Sequence, residues 1–189
     1  MDTSNVRGKY EKVYCCELER SAYERAKQCN SMDSSLFGDV ENNKNFTKNL
    51  NRTLEEAGKN VQAIQMWWAE IRTYGPIDQI QNIFYTHLGI SSFAKIASDL
   101  TTGVGCSIVH CGSSINVVCH YETTLKNAVK LYNCGPYCNQ CPGGRTACVN
   151  GLCPVTDGQC PASTAATTGN SDCSINSVSE HQQHTHYNC

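Results

Sequence analysis

Fourteen cysteines in 189 residues, unevenly placed, constrain this chain more than any other feature. Six lie between Cys15 and Cys119, and the other eight crowd the 56 residues from Cys134 to Cys189. A reducing cytosol would leave most of them as thiols without a role, so the chain belongs in an oxidising compartment outside the cell. The stretch from Cys134 to Cys160 is rich in Cys, Gly and Pro and has no helical or strand period. It holds too little apolar content to fold unaided and reads as a knob stapled by disulfides. Residues 161–189 are rich in Ser, Thr, Asn, Gln and His and read as a disordered tail.

The first ~130 residues carry both tryptophans and most of the aliphatic side chains, enough for a modest core. Net charge is -2, with 17% of residues charged and no Lys/Arg stripe, which argues against a nucleic-acid partner. No apolar run approaches the ~20 residues of a membrane span. The chain opens Met1-Asp2-Thr3-Ser4-Asn5, without the apolar segment of a signal peptide, so a mature form or an incomplete gene product is expected. Two sequons, Asn45-Phe46-Thr47 and Asn51-Arg52-Thr53, make Asn45 and Asn51 candidate glycosylation sites.

Leu18, Ala22 and Ala26 recur on one side of a helix predicted over Glu17 to Gln28. Asn30 to Asn49, rich in Ser, Asn and Asp, reads as a long loop. A second helix is predicted from Leu54 to Tyr74. Thr53 and Glu56 form a capping box, Val61, Ile64, Trp68 and Ile71 share a face, and Gly75-Pro76 ends the helix. Ile77 to Leu88 reads as a loop with some helix, and Ser91 or Ser92 caps a short helix through Leu100. Cys106 to Cys111 and Ile115 to Tyr121 are β-branched strands around Gly112-Ser113-Ser114, an antiparallel hairpin.

These pieces together resemble one family. Cys16-Glu17-Leu18-Glu19 leads to Ala26-Lys27-Gln28-Cys29; a helix carries Trp67-Trp68-Ala69-Glu70-Ile71; Gly105-Cys106 pairs with Val117-Val118-Cys119-His120-Tyr121; a cysteine-rich hinge follows. Over residues 8 to 153 the chain resembles the CAP superfamily (the SCP/TAPS proteins), most of all its Ancylostoma-secreted-protein-like and venom-allergen-like members from parasitic nematodes. The resemblance implies an α+β fold, the α-β-α sandwich with a small antiparallel sheet. It divides the chain into a CAP-like domain over 8–130, a cysteine-rich hinge over 131–160, and a tail or the start of a second domain over 161–189. Cys173-Ser174-Ile175-Asn176 with Val178-Ser179-Glu180 loosely resembles such a start. The family's opening helix has no counterpart in the twelve residues before Val13, so exposed apolar surface and self-association are expected of a chain that begins at Met1. Two disulfides are also implied, Cys29 with Cys119 and Cys106 with Cys111, with separate partners for Cys15 and Cys16.

Many members hold two histidines and two acids in a central cleft that can bind zinc. The matching positions here are Asp33, Asp39, Glu70 and Ser92, with Ser98 in place of a signature tryptophan. Both imidazoles are gone, and three carboxylates with a hydroxyl make a poor zinc site, since zinc favours nitrogen and sulfur donors. No metal, cofactor or catalytic residue is therefore expected. Trp67 and Trp68 read as core. Glu55-Glu56 reads as solvated charge, and no G-x-S-x-G context supports a serine nucleophile. Cys138-x-x-Cys141 reads as part of the disulfide knob rather than as a zinc or redox motif, and His181-x-x-His184-x-His186 as a His-rich polar tail. The resemblance implies a secreted, non-enzymatic binding protein of host–parasite interaction, with a host cell-surface protein as partner. A sterol or small-lipid carrier and a metal-dependent hydrolase are the alternatives; the first needs an apolar groove, the second an intact ligand set.

Overall fold

The computed structural model describes residues 9–10, 12–32, 38, 40–47, 62–74, 81–133, 138, 141, 144, 146, 148, 152–153 and 160. Asp33, Asp39, Asn51, the Thr53–Glu56 capping box and the histidine-rich tail lie outside them.

At the centre is a hairpin of β5 (Thr101–Cys111) and β6 (Ser114–Thr123). Its β-branched run makes the strands, and Gly112 turns between them at φ +61°, a conformation that costs a glycine little. Two more strands flank the hairpin, giving the order β2-β5-β6-β3. Strand β2 (Val13–Tyr14) pairs with β5 in parallel, so the sheet is not purely antiparallel. Strand β3 (Glu41–Thr47) runs antiparallel to β6 from Glu41↔His120 to Thr47↔Ser114. That strand falls inside the stretch predicted as loop. Its Asn-rich polar sequence has low strand propensity but suits an edge, where polar side chains discourage further pairing.

The sheet separates two helical layers. Helix α1 (Cys16–Ala26) lies on one face, burying Ala22 and Ala26 against Val118. It comes so close to β5 that a β-carbon at Gly105 would stand 2.1 Å from the backbone nitrogen of Glu19. On the other face α2 (Gln62–Tyr74) buries Ala63 and Trp67 against Val117, Cys119 and Tyr121. Trp67 is core, and Trp68 meets Phe93 edge to face at 5.1 Å between ring centres. Helix α3 (Ser91–Ala97) joins α2, and Ile71, Ile90, Phe93, Ala94, Leu125 and Leu131 form a further cluster beside them. A ribbon of β4 (Ile83–Phe84) and β7 (Val129–Lys130) closes that end. Thr86–Leu88 is a 3-10 turn, the only helical part described in the 77–88 stretch. At the other end β1 (Lys9–Tyr10) pairs in parallel with β8 (Leu152–Cys153), joining the start of the chain to the hinge.

Both core disulfides implied by the resemblance are exchanged. Cys106 bonds Cys119 and Cys29 bonds Cys111. The pleat explains this. Cys106 and Cys119 are register partners with Cα atoms 4.0 Å apart. Cys111 is five residues further along β5, about 17 Å at the strand rise, far outside disulfide reach. An odd separation also turns it to the opposite face, where its sulfur lies 3.7 Å from the Ala26 carbonyl at the end of α1, next to Cys29. Cys15 bonds Cys160, and Cys16 is also disulfide-bonded. In the hinge Cys138 pairs with Cys148 and Cys141 with Cys153; no described cysteine is free.

Candidate functional site

Of the four positions assigned to the cleft, the structure places Glu70 and Ser92 together. Glu70 projects from α2, and its Oε2 accepts the backbone N–H groups of Ser92 and Phe93, each at 2.9 Å. These belong to the first turn of α3, whose N–H groups have no partner within the helix. Glu70 is therefore the cap that Ser91 and Ser92 were expected to supply; Ile90 holds the N-cap position and no side chain caps from there. A carboxylate suits the positive end of the helix better than a hydroxyl does. Ser98, standing for the signature tryptophan, is fully buried, and its hydroxyl donates to the Leu131 carbonyl at 3.0 Å.

Two further residues complete this side of the sheet. Asn42 on β3 donates from Nδ2 to the Ser92 carbonyl and to the Tyr121 hydroxyl, both at 3.1 Å. A carbonyl can only accept, so this contact fixes which end of the amide faces α3. Among the described residues, buried Asn42 Oδ1 has no hydrogen-bond partner. Burial raises the pKa of Tyr121, nearby Glu70 raises it further, and the Asn42 hydrogen bond only partly offsets them, so the phenol stays protonated.

The opposite face holds a second polar cluster around Glu41. Its Oε2 accepts from Arg25 Nε at 2.8 Å and lies 3.2 Å from His120 Nε2, while Oε1 accepts from Asn43 Nδ2 at 2.6 Å. Burial alone would raise the Glu41 pKa. The hydrogen bonds from His120, Asn43 and Arg25, with the charge of Arg25, outweigh it and lower the value to about 2. His120 Nδ1 is 2.8 Å from the Ser21 hydroxyl on α1. With an ionised carboxylate at Nε2, the ring hydrogen sits there and Nδ1 accepts from Ser21. Neither cluster was assigned from sequence. The signal was the acid–amide pair Glu41-Asn42 just beyond Asp39, with His120-Tyr121 opposite it across the sheet.

The described residues of the cleft do not suit zinc. One Glu70 oxygen is committed to two backbone donors, and its neighbours are an amide, a protonated phenol and the backbone of Ser92, with no imidazole or thiolate. Among the described residues the metal-type group that converges is Cys138, Cys141 and Cys148, whose sulfurs lie within 4.8 Å of one another. All three are in disulfides and offer no thiolate.

Residues 8–121 match the family model described as the Cysteine-rich secretory protein family, CAP. Ancylostoma secreted protein of Ancylostoma caninum is 29% identical over 156 residues, 79% of this chain; the chain spans 35% of that relative's length. The crystal structure of Hookworm Platelet Inhibitor shares 25% identity at a TM-score of 0.56, over 74% of this chain and 69% of that one. Na-ASP-1 shares the fold at a TM-score of 0.66 and 20% identity, over 85% of this chain and 42% of that one. A sandwich of this topology and a family match covering more than half its length lead to one conclusion: the chain belongs to the CAP family of cysteine-rich secretory proteins.

Proposed function

We propose that this protein acts outside the cell by binding a host cell-surface protein rather than by catalysis, in the interaction of a parasite with its host. The observation that carries this reading is the commitment of Glu70. The remaining described acid of the cleft is spent on capping α3, so it is not poised as a base, nucleophile or metal ligand. Disulfides between distant elements support action in an oxidising medium. The likeness to a protein named as a platelet inhibitor supports a host cell-adhesion receptor as the class of partner. In this reading Asp33 and Asp39 are further remnants of the cleft and the protein needs no metal or cofactor. The CAP-like domain spans 8–130 and the hinge 131–160.

The test is adhesion of platelets and of leukocytes to immobilised ligands in the presence of the purified chain, with and without a chelator. Inhibition that survives both chelation and Glu70→Gln supports the reading. No inhibition of either cell type, or an esterase or peptidase activity abolished by Glu70→Gln, overturns it.

A further inference from the structure

On the α1 side of the sheet, three elements bring an alcohol, an imidazole and a carboxylate into line. Ser21 stands one turn before Arg25 on α1, which puts both at the edge of the helix that meets the Glu41 cluster. Glu41 on β3 and His120 on β6 are register partners, so their side chains leave the same face of the sheet. The Ser21 hydroxyl lies 2.8 Å from His120 Nδ1, and Glu41 Oε2 lies 3.2 Å from His120 Nε2.

The hydrogens of this row follow from its inner end. Glu41 is ionised and can only accept. The ring hydrogen of His120 therefore sits on Nε2, and the Nδ1 lone pair faces the Ser21 hydroxyl. His120 and Glu41 are both buried, whereas Ser21 is exposed. A reagent in solution can thus reach the alcohol while the base and its carboxylate stay shielded from water. An alcohol that donates to an imidazole, whose other nitrogen is held by a carboxylate, is the arrangement that activates a serine nucleophile. It is recognised by these roles rather than by chain order.

Ser31 gives the contrast within the same chain. It is exposed as well, but its hydroxyl donates to the Gln28 carbonyl, which is not a base of any strength. Ser21 also lies in the middle of α1, where each backbone N–H is bonded to a carbonyl one turn back. Those N–H groups cannot serve as an oxyanion hole, the largest part of the rate in a true serine hydrolase. What the geometry supports is one covalent transfer per chain, without turnover.

We propose that Ser21 is a modification site, a nucleophilic serine that takes the acyl group of an activated carboxylic ester, with His120 as its general base and Glu41 holding the ring hydrogen at Nε2. Ser21 Oγ attacks the carbonyl carbon and its proton passes to His120 Nδ1. The Oγ–C bond forms, the bond from carbon to the leaving oxygen breaks, and that oxygen departs with the electron pair. The proton on Nδ1 then goes to the leaving group, which restores the neutral ring. The site lies across the sheet from the cleft at Glu70 and goes beyond the binding role.

The full chain treated with p-nitrophenyl acetate, then digested and mapped by mass, tests it. Acetyl should appear at Ser21 about a hundredfold faster than at Ser31, the contribution of a positioned general base. Ser21→Ala should remove the matching fast release of p-nitrophenolate. His120→Gln should slow Ser21 about a hundredfold and leave Ser31 unchanged. The ratio of the two serines within one digest reads the base even where the variant is less stable. Nitrogen–proton correlation spectra of the natural chain should show the His120 hydrogen on Nε2, the signature of the Glu41 contact. Glu70→Gln should leave the Ser21 rate unchanged, which keeps this test apart from that of the binding role. Equal rates at Ser21 and Ser31, a ring hydrogen on Nδ1, a Ser21 rate indifferent to His120→Gln, or labelling lost in Glu70→Gln would each overturn the assignment.

Discussion

Strand β6 sends Asn116, Val118 and His120 to one helical layer and Val117, Cys119 and Tyr121 to the other, and the two sides handle a carboxylate in opposite ways. Toward α1, Glu41 is buried against one charge partner, Arg25, and is hydrogen-bonded by His120 and Asn43, with Ser21 behind the imidazole. Toward α2 and α3, Glu70 Oε2 has no cationic partner among the described residues; that oxygen meets backbone N–H groups and ends a helix. One side is an internal ion network and the other a cap. Glu70 thereby has a structural use that needs no metal: it satisfies two backbone donors at the start of α3.

The largest effects should fall on the α1 side. Glu41→Ala leaves the Arg25 guanidinium buried without its carboxylate, which costs about 3–5 kcal/mol. Replacing Arg25 and Glu41 together by Met should recover most of that, since the desolvation of both charges is removed at once. Urea unfolding of the two single variants and the double variant checks this. A double variant no more stable than Glu41→Ala would show that the network holds up the sheet through more than charge. Gly105→Ala should cost about 3 kcal/mol. The added carbon meets the backbone of α1 and not the tip of a flexible side chain, so the helix itself has to move.

The same comparison has a pH form. The Glu41 pKa is lowered in the folded protein, to about 2. Its stabilisation is therefore complete above the unfolded value of ~4.3 and is lost as pH falls from there toward 2. Melting temperatures between pH 6 and pH 2.5 should fall more steeply for the natural chain than for Glu41→Gln, which has no carboxylate there to protonate. Parallel curves would place the acid sensitivity elsewhere.

Much of the sandwich was legible in the residues because it rests on apolar period. The β-branched runs at 106–111 and 115–121 formed the hairpin, the alanines of α1 and Trp67 of α2 went to the core, and Trp68 packs half-buried against it. The edge strand β3 was not legible. Glu41-Asn42-Asn43-Lys44-Asn45 has no apolar alternation, and it becomes strand only because β6 offers a partner. The disulfide pairing was not legible either, because it depends on strand register. The resemblance implied Cys106 with Cys111, whereas the pleat puts Cys106 opposite Cys119 and turns Cys111 to the α1 side. Glu70 was found by its place after the tryptophans, but its use as a cap depends on where α3 begins, which the serines at 91 and 92 obscured.

On the α2 side the effects should be smaller. Glu70→Ala frees two N–H groups at the start of α3, a cap loss of about 1–2 kcal/mol. That is well under the cost at Glu41, because no buried charge is stranded. Glu70→Gln keeps an oxygen acceptor and should recover about half. Equal costs at Glu41 and Glu70 would mean that the second carboxylate also holds a charge partner, and the contrast between the two faces would fail.

The smallest effect is expected at Asn45, on the α1 side of edge strand β3. Its Nδ2 donates to Asn116 Oδ1 and, at 3.2 Å, to the Ser114 hydroxyl, both across the β3–β6 pairing. Asn116 is fully buried and its own Nδ2 donates to the Ala26 carbonyl at 3.2 Å, so Asn45 is the outer end of a short amide ladder reaching α1. A glycan attached at Asn45 Nδ2 replaces one of its two hydrogens and leaves the other for Asn116. Asn45 is exposed, so the sugar has room and the ladder can survive. Chain from a glycosylating host should carry sugar at Asn45, and its enzymatic removal should change stability by less than about 0.5 kcal/mol, as for a surface change. Peptide mass mapping and paired thermal melts check both statements. A glycan at Asn45 that lowers the melting temperature by many degrees would show that both hydrogens are needed, and that the edge of the sheet is held by this ladder more than by its backbone pairing.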